Sequence, residues 1–317
     1  MINKFTTIFL AMVLGFFSVK ADEGMWLPLL LQDNEADMQA LGLQLTAADL
    51  YDINNSSLKD AVVSLGGFCT AEMISDQGLM LTNHHCAYDV IQTHSSVNND
   101  YLSDGFWAMD KSEEIPNEGL TASFLVRMED VSERVNAALD TVADDQRSMV
   151  TRKLFAEIVA EATENTHYNA RVKGFFGGND FYLMVYETFT DVRLVGAPPS
   201  SIGKYGGDTD NWMWPRHTGD FALLRVYAGA DGLPAEFSED NVPMKPRHHF
   251  PISLEGVENG DFSMIMGFPG STDRYLSSYG VKQAIDQKNP TIVTIRDRKL
   301  SIMKKHMDDK EKVRIQY

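Results

Sequence analysis

A pair of histidines followed by a cysteine is the part of the sequence best suited to chemistry. An apolar stretch ends in the run LTNHHC at residues 81–86. A histidine side chain can act as a general base near neutral pH, provided that it is held in place. The chain has one other cysteine, Cys69, and a bond from it to Cys86 would restrain the histidine turn. The alternative is a structural disulfide beside two surface histidines, His84 and His85.

An aspartate at the start of a later apolar segment could orient such a base. Asp220 follows Gly219 and opens the run FALLRV at residues 221–226. A carboxylate that accepts the Nδ1–H bond of an imidazole fixes its tautomer and stabilises the imidazolium. An aspartate can equally cap a turn before an ordinary strand. The order of histidine before aspartate favours the first interpretation.

The arrangement of these residues resembles that of chymotrypsin-like serine peptidases. In their barrel, a disulfide joins the turn of the catalytic histidine to the neighbouring strand. Aligning the pattern Thr-x-x-His-Cys makes His85 the base and leaves His84 as its neighbour. The same resemblance makes Asp220 the orienting carboxylate.

The resemblance also implies a nucleophilic serine, which this chain does not supply convincingly. Such a serine lies in a loop similar to Gly-Asp-Ser-Gly, whose backbone N–H groups form the oxyanion hole. Ser263 and Ser271 lie near glycines, but neither has the neighbours of that loop. In the order His, Asp, Ser, we expect the serine beyond Tyr317. We therefore expect this chain alone to be inactive.

The elements that must position these residues are mainly strands. Residues with β propensity alternate between turn signals, and Asp-Gln-Gly at residues 76–78 predicts the turn of a hairpin. The predicted strands lie at residues 61–67, 69–75, 79–82, 181–189 and 221–227, with two short ones within 250–268.

Two segments have helical patterning. Residues 129–166 contain neither Gly nor Pro, which favours a helix in two pieces that folds away from the site. The segment 281–317 lacks Gly and predicts helix as well. We therefore predict a mainly β fold with helical insertions. Residues 22–280 would form an incomplete chymotrypsin-like double β-barrel, and residues 281–317 the start of a truncated α-helical domain.

The N-terminus has the pattern of a secretory signal peptide. Lys4 precedes an apolar run at residues 5–19, and Ala21 suits a cleavage site. The alternative is a membrane anchor, but the run is short for a span. We expect residues 1–21 to be removed on export to the periplasm or cell surface of a Gram-negative bacterium. The oxidising compartment favours a disulfide between Cys69 and Cys86.

The composition limits the classes of partner. The formal net charge is −17 at pH 7, which disfavours nucleic acid and anionic membrane surfaces. We expect no cofactor and no metal. A metal-dependent hydrolase stays open as a minor alternative, although adjacent histidines on a turn rarely converge on one ion and the helix motif His-Glu-x-x-His is absent. Its candidate ligands are His84, His85, His217, His248 and His249.

Four runs of the sequence resemble the bacterial dipeptidyl-peptidase 7/11 family. They are DEGMW at 22–26, GGFCT at 66–70, LTNHHC at 81–86 and YGGDTDNWMWPRHTGD at 205–220. The resemblance implies a serine peptidase that releases dipeptides from free peptide N-termini. It also implies a large helical domain within a double barrel, and it allows a homodimer of the full-length protein. A peptide-binding relic without chemistry is the alternative.

The resemblance assigns a further role to the fourth run. It implies that Asn211 and Trp212 hold the N-terminal amine of the substrate. An amide oxygen can accept a hydrogen bond from an ammonium group, and an aromatic face attracts a cation. For Trp214 we predict a place in the barrel core. The side chain preferred at the penultimate substrate position, acidic or hydrophobic, stays open.

Overall fold

The structure is a computed structural model that describes residues 25–211, 213–271, 273 and 276–317. The predicted signal peptide and Trp212 lie outside the described residues. Within those residues, no helix has the length and apolar character needed to cross a membrane.

The described strands all belong to one antiparallel sheet. They are β1 (Val62–Leu65), β2 (Cys69–Met73), β3 (Leu79–Thr82), β4 (Phe106–Trp107), β5 (Ile115–Pro116), β6 (Ala122–Asp130), β7 (Asn169–Phe175), β8 (Asp180–Phe189), β9 (Asp191–Ala197), β10 (Ala222–Ala228) and β11 (Val242–Pro243).

The central strands form one continuous ladder with β1 in its middle. One branch runs from β1 through β2, β3 and β10 to β9, and the other runs from β1 through β6 to β8. Only Thr190 separates β8 from β9, so the chain passes directly from one branch to the other. The short strands β4 and β5 both pair with β9. Strand β11 pairs with β10, and β7 pairs with β8. The expected mainly β fold with helices is therefore present as one 11-stranded antiparallel sheet.

Alternating apolar residues form the central core on one face of this sheet. Successive side chains of a strand point to opposite faces, so every second residue reaches the core. The central cluster takes such residues from strands β1, β2, β3, β6, β8, β9 and β10. Its fully buried members include Val63, Leu65, Ala71, Met73, Met80, Ala122, Val192, Leu194, Leu224 and Val226.

The described helices lie before the strands, between them and after them. The 3-10 segments are Pro28–Asn34, Leu58–Ala61 and Lys111–Glu113, and one π-helical turn spans Ala284–Lys288. The α-helices are α1 (Glu35–Ala40), α2 (Ala47–Leu50), α3 (His84–His94), α4 (Tyr101–Asp104), α5 (Ser132–Leu139), α6 (Asp144–Thr163), α7 (Ser200–Gly203), α8 (Ser278–Gln283), α9 (Asn289–Asp309) and α10 (Glu311–Ile315).

The helix predicted within residues 129–166 is present in two pieces, α5 and α6. Their apolar residues Val135 and Ile158 pack against Leu183 of β8 in a second buried cluster. The predicted start is slightly early, because β6 continues to Asp130 and pairs with Tyr182 there. Residues 129 and 130 therefore belong to β6, because they pair with β8, although helix propensity alone placed them in the helical insertion.

The two strands predicted within residues 250–268 are wrong, because the structure places no strand there. The segment is attached to β2 by single hydrogen bonds. The amide of Phe250 donates to the carbonyl oxygen of Met73 at 2.8 Å, and that of Phe268 donates to Thr70 Oγ1 at 2.8 Å. A strand needs a repeated ladder with a neighbour, and isolated bonds do not provide one.

The C-terminal helical prediction holds for most of residues 281–317. Helices α8 and α9 join through the π-helical turn, and α9 ends where Lys310 takes an extended conformation. Helix α10 follows, and Arg314 in it lies 3.4 Å from Asp100. Helix α8 already begins at Ser278, and the domain boundary after residue 280 stays a prediction.

Candidate active site

The histidine turn is held by the pairing of β3 with β10. Thr82, the last residue of β3, lies opposite Ala222 near the start of β10. Thr82 also donates its hydroxyl to the carbonyl oxygen of Thr70 at 2.8 Å, which fixes the end of the strand on β2. Helix α3 begins two residues later, at His84. Because the strands are antiparallel, the residues after Thr82 meet the residues before Ala222.

That pairing brings His85 and Asp220 together. His85 Nδ1 lies 2.7 Å from Asp220 Oδ2, and the His85 backbone N–H donates to Oδ1 at 3.0 Å. Asn83 adds a bond from Nδ2 to the Asp220 carbonyl oxygen at 3.1 Å. Asn83 was not among the residues predicted from the sequence, although its position directly before the histidine pair was a usable signal.

The two members of the pair differ in exposure. The His85 side chain is 68% exposed and the Asp220 side chain 22%. When Nδ1 carries the proton that it donates to Asp220, the lone pair lies on Nε2. An exposed Nε2 can accept a proton from a group that approaches from outside. Among the described residues, His85 has no hydrogen bond from a serine or threonine hydroxyl, and both Ser263 and Ser271 are exposed.

A disulfide lies directly beside this pair. Cys69, the first residue of β2, is bonded to Cys86 in α3, and their Cα atoms are 6.0 Å apart. Both sulfurs lie within 4.8 Å of a ring nitrogen of His85. The bond therefore joins the histidine turn to β2 on one side, while Asp220 holds it on the other. Sulfurs committed to a disulfide are not thiolate ligands, so this grouping does not favour a metal site.

The neighbouring His84 has a different environment. Its side chain is 1% exposed, whereas that of His85 is largely open to solvent. Burial lowers the pKa of His84, an effect that the nearby charge of Asp220 partly opposes. The ring packs against Gly203 of α7 and meets the ring of Tyr88 edge-on, with ring centroids 6.4 Å apart. The structure therefore assigns the carboxylate contact to His85 and a buried position to His84.

The residues expected to bind an amine lie in the loop before Asp220. Asn211 is exposed, and its Oδ1 accepts a hydrogen bond from Arg216 Nη2 at 2.9 Å. This hydrogen bond joins Asn211 to Arg216 and involves neither His85 nor Asp220. Trp214 is 91% exposed, so the prediction that it lies in the barrel core is wrong. The described residues around Trp214 in this loop are themselves mostly exposed, so they form no apolar cluster that would cover an indole.

Residues 21–317 match the family model described as Peptidase S46. The chain belongs to the peptidase S46 family. It is 48% identical to an Asp/Glu-specific dipeptidyl-peptidase of Capnocytophaga gingivalis, over 97% of this chain and 44% of the relative. It is also 48% identical to a dipeptidyl-peptidase 7 of Phocaeicola vulgatus, over 99% of this chain and 45% of the relative. This S46 chain thus spans less than half the length of the relatives it matches.

A solved structure supports the same relationship. The S46 chain superposes on the DPP11 of Porphyromonas endodontalis in complex with the dipeptide Arg-Glu, with a TM-score of 0.87 and 42% sequence identity. The match covers 93% of this chain and 43% of that one. The resemblance stated from the four sequence runs is thereby confirmed at the level of family. The relatives include both Asp/Glu-specific and type 7 enzymes at the same identity, so similarity alone does not select a specificity.

Proposed function

We propose that this chain carries the general base and the orienting carboxylate of a serine dipeptidyl-peptidase that releases dipeptides from free peptide N-termini. The observation that carries the proposal is the double contact of Asp220 with the backbone and side chain of His85. That arrangement prepares the Nε2 atom of one exposed imidazole to take up a proton. The sheet that holds it would form the first barrel of a chymotrypsin-like double barrel.

The reaction proceeds through a covalent acyl-enzyme. His85 Nε2 takes the proton of a serine hydroxyl as the serine oxygen forms a bond to the scissile carbonyl carbon. The same nitrogen then gives that proton to the leaving amine as the carbon–nitrogen bond breaks. Water repeats the two steps and frees the dipeptide. Asp220 holds the imidazole in the productive tautomer and stabilises the imidazolium throughout.

The nucleophile belongs to a segment that this chain does not include. We place the serine and the oxyanion hole beyond Tyr317, in the part of the protein that corresponds to the remaining length of the relatives. Without these groups His85 has no hydroxyl to deprotonate. The 317-residue chain alone would therefore be inactive.

The free amine of the substrate defines where cleavage occurs. Asn211 would accept from the ammonium group through the lone pair of Oδ1 that Arg216 leaves unused, and Trp212 would offer an aromatic face. An anchored terminus places the second peptide bond at the serine, which yields dipeptides. The enzyme would act on exported or extracellular peptides, in the periplasm or at the cell surface.

The decisive experiment compares two proteins from the same gene. One is residues 22–317, and the other continues through the open reading frame beyond the codon for Tyr317. The longer protein should release dipeptides from peptides with a free N-terminus, and acetylation of that terminus should abolish release. The shorter protein should do neither and should resist labelling by a fluorophosphonate.

Two results would contradict the proposal. A stop codon directly after Tyr317 in the gene would favour a peptide-binding relic without chemistry. Stoichiometric labelling of Ser263 or Ser271 in the shorter protein would place the nucleophile within this chain.

A further inference from the structure

His84 is buried although one of its two ring nitrogens has no hydrogen bond among the described residues. Its side chain is 1% exposed, and its Nε2 atom is buried with no hydrogen-bond partner among the described residues. A buried polar atom without a partner costs about 1–3 kcal/mol. Something other than a polar contact of that nitrogen must therefore keep the ring inside. A hydrogen bond with the backbone of Pro198 contributes, and so does the packing of the flat ring against a neighbouring element.

The ring packs on the backbone of α7 at Gly203. A Cβ atom added at Gly203 would overlap the Cγ and Cδ2 atoms of the His84 ring. The backbone of Gly203 does not take the positive φ angle that favours glycine. Glycine at position 203 is therefore explained by the close approach of the His84 ring, and not by a backbone conformation that only glycine adopts.

The same short helix closes the base of the loop that carries Asn211. Thr218 donates its hydroxyl toward the carbonyl oxygens of Ile202 and Gly203, each at 3.2 Å. The amide of Gly219 donates to the carbonyl oxygen of Ile202 at 3.0 Å. Residues 204–217 therefore leave from α7 and return to it, and the His84 ring lies directly against that base.

We propose that His84 is a positioning residue that sets the loop 204–217, and with it Asn211, at a defined distance from His85. The two histidines are consecutive in α3. The same stretch of backbone therefore positions His85, the proton acceptor, and His84, which supports the loop. This inference rests on the proposed function, because it concerns where the substrate amine is held. It assigns to His84 an effect on substrate binding and none on proton transfer.

The test uses the longer, active protein and separates binding from chemistry. His84→Ala removes the support and should raise KM for a dipeptidyl substrate roughly tenfold, with kcat changed less than about threefold. The rate of serine labelling by a small fluorophosphonate should not change, because that reagent needs no amine anchor. His84→Phe keeps a flat ring without the nitrogen and should restore KM close to the wild-type value.

A second pair of variants tests the contact itself. Gly203→Ala alone should raise KM, because the new methyl group displaces the ring and the loop base. Adding His84→Ala makes room for that methyl group, so the double variant should bind substrate better than Gly203→Ala does. Such non-additivity is the signature of two groups in direct contact.

The matched control is His94→Ala, at the other end of the same helix. His94 Nε2 lies 2.9 Å from Asn117 Oδ1, away from the loop. Its removal should leave KM unchanged.

Three results would overturn the inference. They are an unchanged KM in His84→Ala, additive effects of the substitutions at positions 84 and 203, and a parallel loss of kcat and labelling rate in His84→Ala. A wild-type protein that released no dipeptides would instead contradict the proposed function itself.

Discussion

Asp220 holds His85 by both of its carboxylate oxygens. Oδ1 accepts the backbone N–H of His85 at 3.0 Å, and Oδ2 lies 2.7 Å from Nδ1 of the same residue. One carboxylate thus fixes the start of helix α3 and the plane of the imidazole together. A substitution at Asp220 should therefore disturb the backbone turn as well as the tautomer.

The first prediction separates the two histidines. In the longer protein of the proposed function, His85→Ala should lower kcat by about four orders of magnitude or more, because the proton acceptor is lost. His84→Ala should leave kcat nearly unchanged. Steady-state kinetics on a dipeptidyl substrate measure both. An inactive His84→Ala together with an active His85→Ala would show that the base is assigned to the wrong residue.

The second prediction concerns the amine anchor. Asn211→Ala should lower kcat/KM for substrates with a free N-terminus by roughly ten- to a hundredfold, because a charge-assisted hydrogen bond is lost. Asn55→Ala is a matched control, since Asn55 is exposed and donates to Asp52 in a different loop. Equal kinetics for Asn211→Ala and the control would remove Asn211 from the site.

The third prediction concerns the bond between Cys69 and Cys86. Replacing both cysteines with serine should lower the free energy of unfolding by about 3 kcal/mol, because the unfolded chain regains the entropy of an open loop. Urea denaturation of both proteins, with and without dithiothreitol, measures this. The reductant should destabilise only the wild type. Identical unfolding curves for the two oxidised proteins would contradict the prediction.

The fourth prediction concerns a buried ionic contact on β10. Glu114 accepts from Arg225 Nε at 2.9 Å and from the Tyr227 hydroxyl at 2.8 Å, and its side chain is 2% exposed. Glu114→Ala leaves the charge of Arg225 buried without its partner, and should destabilise the fold by about 3–5 kcal/mol.

The control for Glu114 is a surface ion pair of similar composition. Arg134 and Glu161 lie 2.6 Å apart, with side chains 43% and 61% exposed. Glu161→Ala should change the unfolding free energy by less than about 1 kcal/mol. Equal losses for the two variants would show that burial does not govern the strength of the Glu114 contact.

The fifth prediction is a pH dependence at Glu72. This residue of β2 lies opposite Val62 and Leu81, and burial raises the pKa of its carboxyl group. A raised pKa in the folded state favours the protonated form. The stability it contributes is present at low pH and is lost as the pH rises through the folded pKa.

Glu72→Gln should therefore be more stable than the wild type near pH 7, and this advantage should shrink as the pH falls from the raised folded pKa towards the unfolded pKa. Urea denaturation of both proteins between pH 4 and pH 8 provides the comparison. A stability difference that stayed constant over this range would show that Glu72 keeps the same pKa in both states.

The sequence by itself determined the candidate catalytic residues and the family of this protein. The histidine–cysteine run, the later aspartate and the unusual run at 205–220 are local patterns, so no fold was needed to find them. The family followed from those runs and is confirmed. Helices α5 and α6 and most of the C-terminal helices also followed, because helical hydrogen bonds join residues that are close in sequence.

Only the tertiary structure decided features that depend on distant neighbours. The resemblance predicted His85 rather than His84 as the base, and the structure shows the contact itself. Consecutive residues of a helix point about 100° apart, so the position of β10 determines which of the two histidines meets Asp220. The two short strands expected within residues 250–268 did not form, and Trp214 is exposed rather than buried. Both errors have the same physical reason. A strand and a buried side chain require a partner from elsewhere in the chain, and no local pattern specifies whether that partner is there.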